Sequence, residues 1–348
     1  MADMLISQIL TCASERGASD VHLSVGTAPV LRINGLLCQT DSFDVLSQSD
    51  MEEIISCLLP YDDICHAKDL RDRDFAFSTE INGKKRRFRI NLYRESGNFA
   101  VAVRIVDSTV RTIDELGLPK WLKTAVKMRN GLIVVTGPAG SGKSTTLAAM
   151  IEEINASRKA HIVTIEDPVE YIFTPRLSLI HRREIGRDAA SFAQAVRSAM
   201  RQDPDVLMIG EMRDLDTVSA AVTAAETGHL VLATLHTSGA AQSIDRIIGM
   251  YPPHRQGEAR ARLASLLIGV LSQQLVPAAA DGRIAASELL IATAAVKNYI
   301  REGKTQQIAN AAATGGVYGM YTMAQNIERL ISENKIKRDD VMLCTVAQ

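Results

Sequence analysis

The chain has 348 residues, room for two domains of ordinary size, with 46% hydrophobic and 23% charged residues. A formal net charge of -1 provides no global field toward nucleic acid or anionic lipid, though a local basic patch stays open. Five dispersed cysteines (Cys12, Cys38, Cys57, Cys65, Cys344) form no CxxC pair, which fits reduced thiols and argues against a zinc ribbon. No basic stretch precedes a long apolar run at the start, so no signal peptide is expected. The most apolar stretch, residues 263–271, is about half of what a bilayer span needs. Any membrane connection is expected to run through a partner.

In chain order, residues 4–16 place Leu5, Ile9, Cys12 and Ala13 at helical spacing, with Gly17 as the stop. Residues 21–25 read as a short strand. Residues 28–33 and 36–38 flank Asn34-Gly35, the dipeptide of a type I′ hairpin. Ser49-Asp50-Met51-Glu52 reads as a capping box opening a helix that runs to Leu59. Strands at 75–81, 84–94 and 98–106 are joined by Asn82-Gly83 and Ser96-Gly97. The middle strand alternates Phe88, Ile90 and Leu92 with Arg87, Arg89 and Asn91, which predicts an antiparallel sheet with one wet, basic face. A first domain is expected over 1–107, a connector over 108–118 with Gly117 and Pro119 as punctuation, and a second domain over 119–348.

In the second domain, apolar strands at 132–136, 161–165, 206–209 and 230–235 alternate with helices from 143, near 189–201 and near 215–227. That alternation predicts an α/β fold with a parallel sheet buried on both faces. The tail after Pro277 is expected to be mostly helical.

Gly137-Pro138-Ala139-Gly140-Ser141-Gly142-Lys143-Ser144 fills GxxxxGK[ST], between a strand and a helix that continues through Thr145. The glycines let backbone N–H groups approach phosphate oxygens, and the helix start adds its positive dipole end. Lys143 supplies a point charge to the outer phosphates and Ser144 a hydroxyl for Mg2+, so ATP and Mg2+ are the expected ligands. Glu166, Asp167 and Glu170 place three carboxylates in five residues after a strand; alone, this reads equally as a solvated loop. Four apolar residues lead from Asp205 to Gly210-Glu211, a Walker B strand with Glu in place of the commoner Asp. His236 ends another core strand, with His229 just before it. A lone histidine is more often structural, yet His236 shares its sheet edge with the other three segments. Parallel sheets bind ligands at that edge.

These segments, with Gly210-Glu211-Met212-Arg213-Asp214, Thr227-Gly228-His229 and the connector Asp114-Glu115-Leu116-Gly117-Leu118-Pro119, resemble the Walker A, Asp box, Walker B and His box of secretion and pilus ATPases. The resemblance spans nearly the whole chain. It implies a PAS-like α+β domain, then a RecA-like P-loop NTPase domain with a helical C-terminal region, assembled as a homohexamer. Within that superfamily the chain is similar to the PilT type, which retracts type IV pili. The N-terminal part is short, no four-cysteine zinc element is present, and residues 295–302 are similar to the AIRNLIRE signature, departing at Val296, Lys297 and Tyr299. A plain helix explains the same segment and is compatible with it.

The resemblance also implies roles. Glu170 positions or deprotonates the attacking water. Glu211 holds Mg2+ with Ser144, and Glu166 and Asp167 support that shell. His236 senses the γ-phosphate, with His229 helping. Arg89, Arg94 and Arg104 bring positive charge from the PAS-like domain, unless they are only a solvated sheet face. Arg197 and Arg201 are further candidates at a subunit boundary. The implied protein is a cytoplasmic motor, peripheral to the inner membrane through a platform protein and other pilus ATPases, without membrane insertion. The alternatives are a pilus-extension or type II secretion ATPase, a nucleic-acid translocase, and a nucleotide-binding accessory subunit without turnover. Against the translocase stand the near-neutral charge and 4% aromatic content, despite the basic run at 84–89. Against the accessory subunit stand Glu170 and Glu211.

Overall fold

The computed structural model describes residues 2–33, 35–59, 72–106, 110–280 and 282–338. Asn34, Cys65, Cys344 and the first part of the expected connector, residues 107–109, lie outside the described residues. The chain divides into two compact units, Met1–Thr109 and Val110–Gln348.

The first unit runs α1 (Ala2–Glu15), β1 (Asp20–Ser24), β2 (Val30–Ile33), β3 (Leu36–Gln39), α2 (Gln48–Leu58), β4 (Arg73–Ile81), β5 (Lys84–Glu95) and β6 (Asn98–Val106). Its strands form one antiparallel sheet in the order β3-β2-β1-β6-β5-β4. The β5 alternation buries Phe88, Ile90 and Leu92 and leaves Arg87, Arg89 and Asn91 half-exposed. Both tight turns have positive φ at their two central residues: Asn82 (51°) and Gly83 (71°), Ser96 (50°) and Gly97 (85°). The capping box differs from the expected one. Ser47, not Ser49, caps α2: its hydroxyl accepts from Asp50 N, and the Asp50 carboxylate accepts from Ser47 N at 2.8 Å. The helix starts at Gln48, one residue ahead of Ser49, so Ser47 and Asp50 take the cap and N3 positions that the sequence pattern assigns to Ser49 and Glu52.

The second unit contains α3 (Trp121–Ala125), β7 (Gly131–Thr136), α4 (Lys143–Ser157), β8 (His161–Glu166), β9 (Leu179–Glu184), α5 (Phe192–Ala199), β10 (Val206–Ile209), α6 (Leu215–Glu226) and β11 (Leu230–Leu235). It continues with α7 (Ala240–Gly249), α8 (Gln256–Leu266), β12 (Leu267–Pro277), β13 (Arg283–Ile291), α9 (Ala294–Glu302), α10 (Thr305–Thr314) and α11 (Met323–Ser332). The sheet order is β13-β12-β7-β11-β10-β8-β9, with every pair parallel except β12 and β13. Alternate residues of one strand enter different cores: Leu132 and Val134 of β7 pack on one face of the sheet, Ile133 and Val135 on the other. Helices therefore cover both faces.

Two features depart from expectation. The region after Pro277 opens with strand β13, and helices resume only at Ala294. Its alanine-rich sequence carries little strand signal; pairing with β12, itself held beside β7, decides its conformation. Edge strand β9 carries no local strand pattern, because Leu-Ile-His-Arg-Arg-Glu buries only Ile180 and Glu184. Among the described residues, no helix is long and apolar enough to cross a membrane.

Candidate active site

Four loops leave neighbouring strands at one edge of the second sheet: after β7, β11, β10 and β8. The loop after β7 carries the glycine motif. Gly137 has φ +147°, and a Cβ there would lie 2.1 Å from the Gln273 carbonyl and 2.6 Å from Ser141 Oγ, so only glycine fits. Gly142 precedes α4 at φ +86° with no side-chain cap, which leaves the helix's first N–H groups for a ligand. Lys143 is buried and donates to the carbonyls of Gly137 (2.8 Å) and Pro138 (2.9 Å). Burial pushes its pKa below the usual lysine range, and the charges of Glu211 and Glu170 pull it back up. Both carboxylates therefore act on Lys143 within one chain. Ser144 is exposed; the Thr145 hydroxyl bonds the Tyr171 hydroxyl at 2.8 Å.

The loop after β8 splits its carboxylates. Glu166 is buried, accepting from the Thr164 hydroxyl at 2.7 Å and, at 3.4 Å, from Glu170 N. Asp167 is exposed and Glu170 half-exposed. Next to it, Gly210 N donates to the Ile165 carbonyl at 2.8 Å, drawing the loop after β10 against β8. Glu211 then has a partner at each oxygen: Arg213 Nε donates to Oε2 at 2.7 Å, and His236 Nε2 lies 2.9 Å from Oε1. The Thr234 hydroxyl donates to the Gly210 carbonyl, and Met212 N donates to the Thr234 carbonyl at 3.0 Å. This fixes the β10 loop against β11. Ser144 and Glu211 offer hard oxygen donors of the kind Mg2+ takes.

The structure thus brings Lys143, Glu166, Glu170, Glu211 and His236 to one edge. It does not bring His229 there. That residue precedes β11 and so lies at the opposite end of the strand, about 20 Å away by strand rise. Its Nδ1 contacts the Ala224 carbonyl (2.8 Å) and the Thr227 hydroxyl (3.1 Å), closing the end of α6.

The arginines of the first unit do not form one cluster. Arg89 and Arg104 are cross-strand partners on the polar face, and Arg104 Nε pairs with Asp20 Oδ1 at 2.9 Å. Burial pushes the Asp20 carboxyl up, but the Arg104 and Ser19 hydrogen bonds outweigh it and hold the group below the usual range. Arg94 has the opposite strand parity. Its guanidinium lies 3.8 Å from the Phe99 ring centre and donates to the Gly97 carbonyl at 3.0 Å. In the second unit, Arg201 donates to the Arg197 carbonyl at 3.3 Å.

Sequence reasoning missed two residues of this edge. Gln273 of β12 donates to the Ser141 carbonyl at 2.7 Å and accepts from the Thr146 hydroxyl at 2.8 Å. Its signal was a polar Ser272-Gln273-Gln274 run inside an apolar segment. Arg213 was visible within the Walker B segment, but nothing local indicated that its side chain turns back to Glu211.

Residues 1–343 match the family described as Type II/IV secretion system protein. The chain is 39% identical to the type IV pilus retractation ATPase PilT of Pseudomonas aeruginosa, covering 97% of each protein. It is 38% identical to the twitching motility protein of Neisseria gonorrhoeae, covering 97% of this chain and 89% of that one. A crystal structure of the pilus retraction motor PilT with bound ADP matches with a TM-score of 0.89 at 40% identity, over 97% of this chain and 96% of that one.

Proposed function

We infer the function from one premise: the chain belongs to the Type II/IV secretion system protein family. It is an ATPase, the motor of type IV pilus retraction. The observation that carries this reading is the near-complete match to PilT in a chain whose glycine loop, Glu211 and His236 meet at one sheet edge. Deleting the protein from its native host tests it. Excess pili without twitching is the expected phenotype; absent pili would instead mean extension.

The division of labour we propose starts from Lys143. A bound nucleotide gives its ammonium group phosphate oxygens in place of the loop carbonyls of Gly137 and Pro138. The N–H groups at the start of α4 take the remaining phosphate charge. Ser144 and Glu211 would hold Mg2+, which would supply positive charge against the phosphate oxygens. Glu170 accepts a proton from the attacking water, or orients it. Glu166 and Asp167 support that loop. His236, tied to Glu211, links the state of the phosphates to the loop after β11.

The remaining features are also proposals. The first unit is a PAS-like domain and the second a RecA-like one. The active species is a homohexamer with nucleotide at subunit boundaries, where Arg89, Arg94 and Arg104 offset the negative charge spread over the γ-phosphate oxygens in the transition state. The motor works in the cytoplasm at the inner membrane, on a pilus platform protein and beside other pilus ATPases.

A further inference from the structure

We propose that Arg213 is a positioning residue: it holds Glu211 until Mg2+ and nucleotide arrive, and surrenders it to them. The proposal rests on the reading of Glu211 as the carboxylate that holds Mg2+.

The Glu211 side chain is only 16% exposed. A carboxylate removed from water is unfavourable unless paired. Lys143 acts on it only through space, since its ammonium group donates to the Gly137 and Pro138 carbonyls. Arg213 pairs it directly, through Nε to Oε2 at 2.7 Å, while His236 occupies Oε1 at 2.9 Å. In this arrangement each oxygen already carries a partner, and a metal or its water that takes Oε2 must share it with a guanidinium.

The two partners are built differently. His236 follows strand β11 directly, beside a loop pinned by Thr234. The Arg213 side chain is 64% exposed, and its only hydrogen-bond partner among the described residues is Glu211. Its backbone is nevertheless fixed. Met212 N is held by the Thr234 carbonyl, and Asp214 caps α6 by accepting from Thr217 N at 2.7 Å. The side chain can therefore swing into solvent without moving the loop once a metal ion takes over the Glu211 charge.

A divalent cation and a guanidinium compete for Glu211, and they repel each other. Metal binding therefore weakens the Arg213 pair, and loss of the metal restores it. Arg213 thus weakens Mg2+ binding and favours release of spent Mg2+–ADP. Deleting the competitor should tighten the site.

The test is a Mg2+ titration of N-methylanthraniloyl-ADP binding to the full chain, read by nucleotide fluorescence. Arg213→Gln should lower the half-saturating Mg2+ concentration about three- to tenfold, as expected for losing one partly exposed charge-assisted bond. Nucleotide release in the presence of Mg2+ should slow by a similar factor. Arg213→Lys keeps the charge without the fork, and should shift less in the same direction. An unchanged or higher Mg2+ requirement in both variants overturns the proposal. Glu211→Gln is run alongside. If it shifts the Mg2+ dependence while the Arg213 variants do not, the proposal alone fails. If Glu211→Gln leaves the dependence unchanged, the reading of Glu211 fails and takes the proposal with it.

Discussion

The Gln273 side-chain amide donates to the Ser141 backbone carbonyl at 2.7 Å, joining strand β12 to the phosphate loop across 132 residues of sequence. With its other end accepting from Thr146, this fully buried residue spans the loop and the first turn of α4. Gln273→Leu would leave the Ser141 carbonyl and the Thr146 hydroxyl buried without these partners, a loss of about 1–3 kcal/mol for each unsatisfied group. The loop would also lose its fixed position, and ADP affinity should fall about tenfold, since displacements near 1 Å weaken such sites strongly. Thermal unfolding and ADP titration check both effects. A variant with lowered stability and unchanged ADP affinity would mean that the loop holds its shape without the amide.

What the sequence makes legible here follows from locality. The glycine loop, the turns at Asn82-Gly83 and Ser96-Gly97 and the β5 alternation are each set by residues within a few positions, and each is observed. The strand β13 and the Gln273 bridge depend on partners far along the chain, so no local pattern encodes them. His229 shows the opposite error. It is close to His236 in sequence, yet a six-residue strand separates the two across the sheet. Strand rise alone would have argued against grouping them. The same parity argument removes Arg94 from the face that carries Arg89 and Arg104.

Lys143 gives a pH prediction. Burial lowers its pKa from the ordinary 10.5 in the free site. Bound phosphate favours the ammonium form, so binding raises it again. Between the two values binding takes up a proton, and ADP affinity should fall as pH rises through the free-site pKa, which lies below 10.5. Calorimetry in two alkaline buffers of different ionisation enthalpy should detect this uptake in the parent and lose it in Lys143→Met. The same substitution should reduce turnover by about 10³-fold or more. Equal proton uptake in parent and variant would assign the phosphate charge to another group.

Glu170 and Glu211, to which we assign different roles, should separate kinetically. Among the described residues no side chain hydrogen-bonds the Glu170 carboxylate, whereas both Glu211 oxygens are engaged. An unengaged carboxylate is the one available to accept a proton. Glu170→Gln should therefore bind ATP with Mg2+ and stall, trapping unhydrolysed nucleotide in a quench assay. Glu211→Gln should raise the Mg2+ requirement. Identical Mg2+ shifts in both, with no trapped ATP in either, would remove the distinction.

The arginine prediction now follows from strand parity. The Arg89 side chain is half-buried and has no hydrogen-bond or ion-pair partner among the described residues, and Arg104 faces it across the strands, anchored by Asp20. Asp20 already offsets the Arg104 charge, so Arg89 is the cation of this pair that an approaching anion would neutralise. Arg94 instead stacks on Phe99, a contact of about 0.5–1 kcal/mol at an exposed position. Arg89→Ala and Arg104→Ala should thus lower kcat at least tenfold with the fold intact, by analogy with other phosphate-stabilising cations. Arg94→Ala should act mainly on stability. If the charge works across subunits, rings mixed from Arg89→Ala and Lys143→Ala chains should regain activity that neither has alone. The intact Lys143 site of one subunit would then face the intact arginines of its neighbour. Mixed rings shown to form, yet no more active than their components, would make the polar face of β5 a solvated surface or a contact for the pilus machinery.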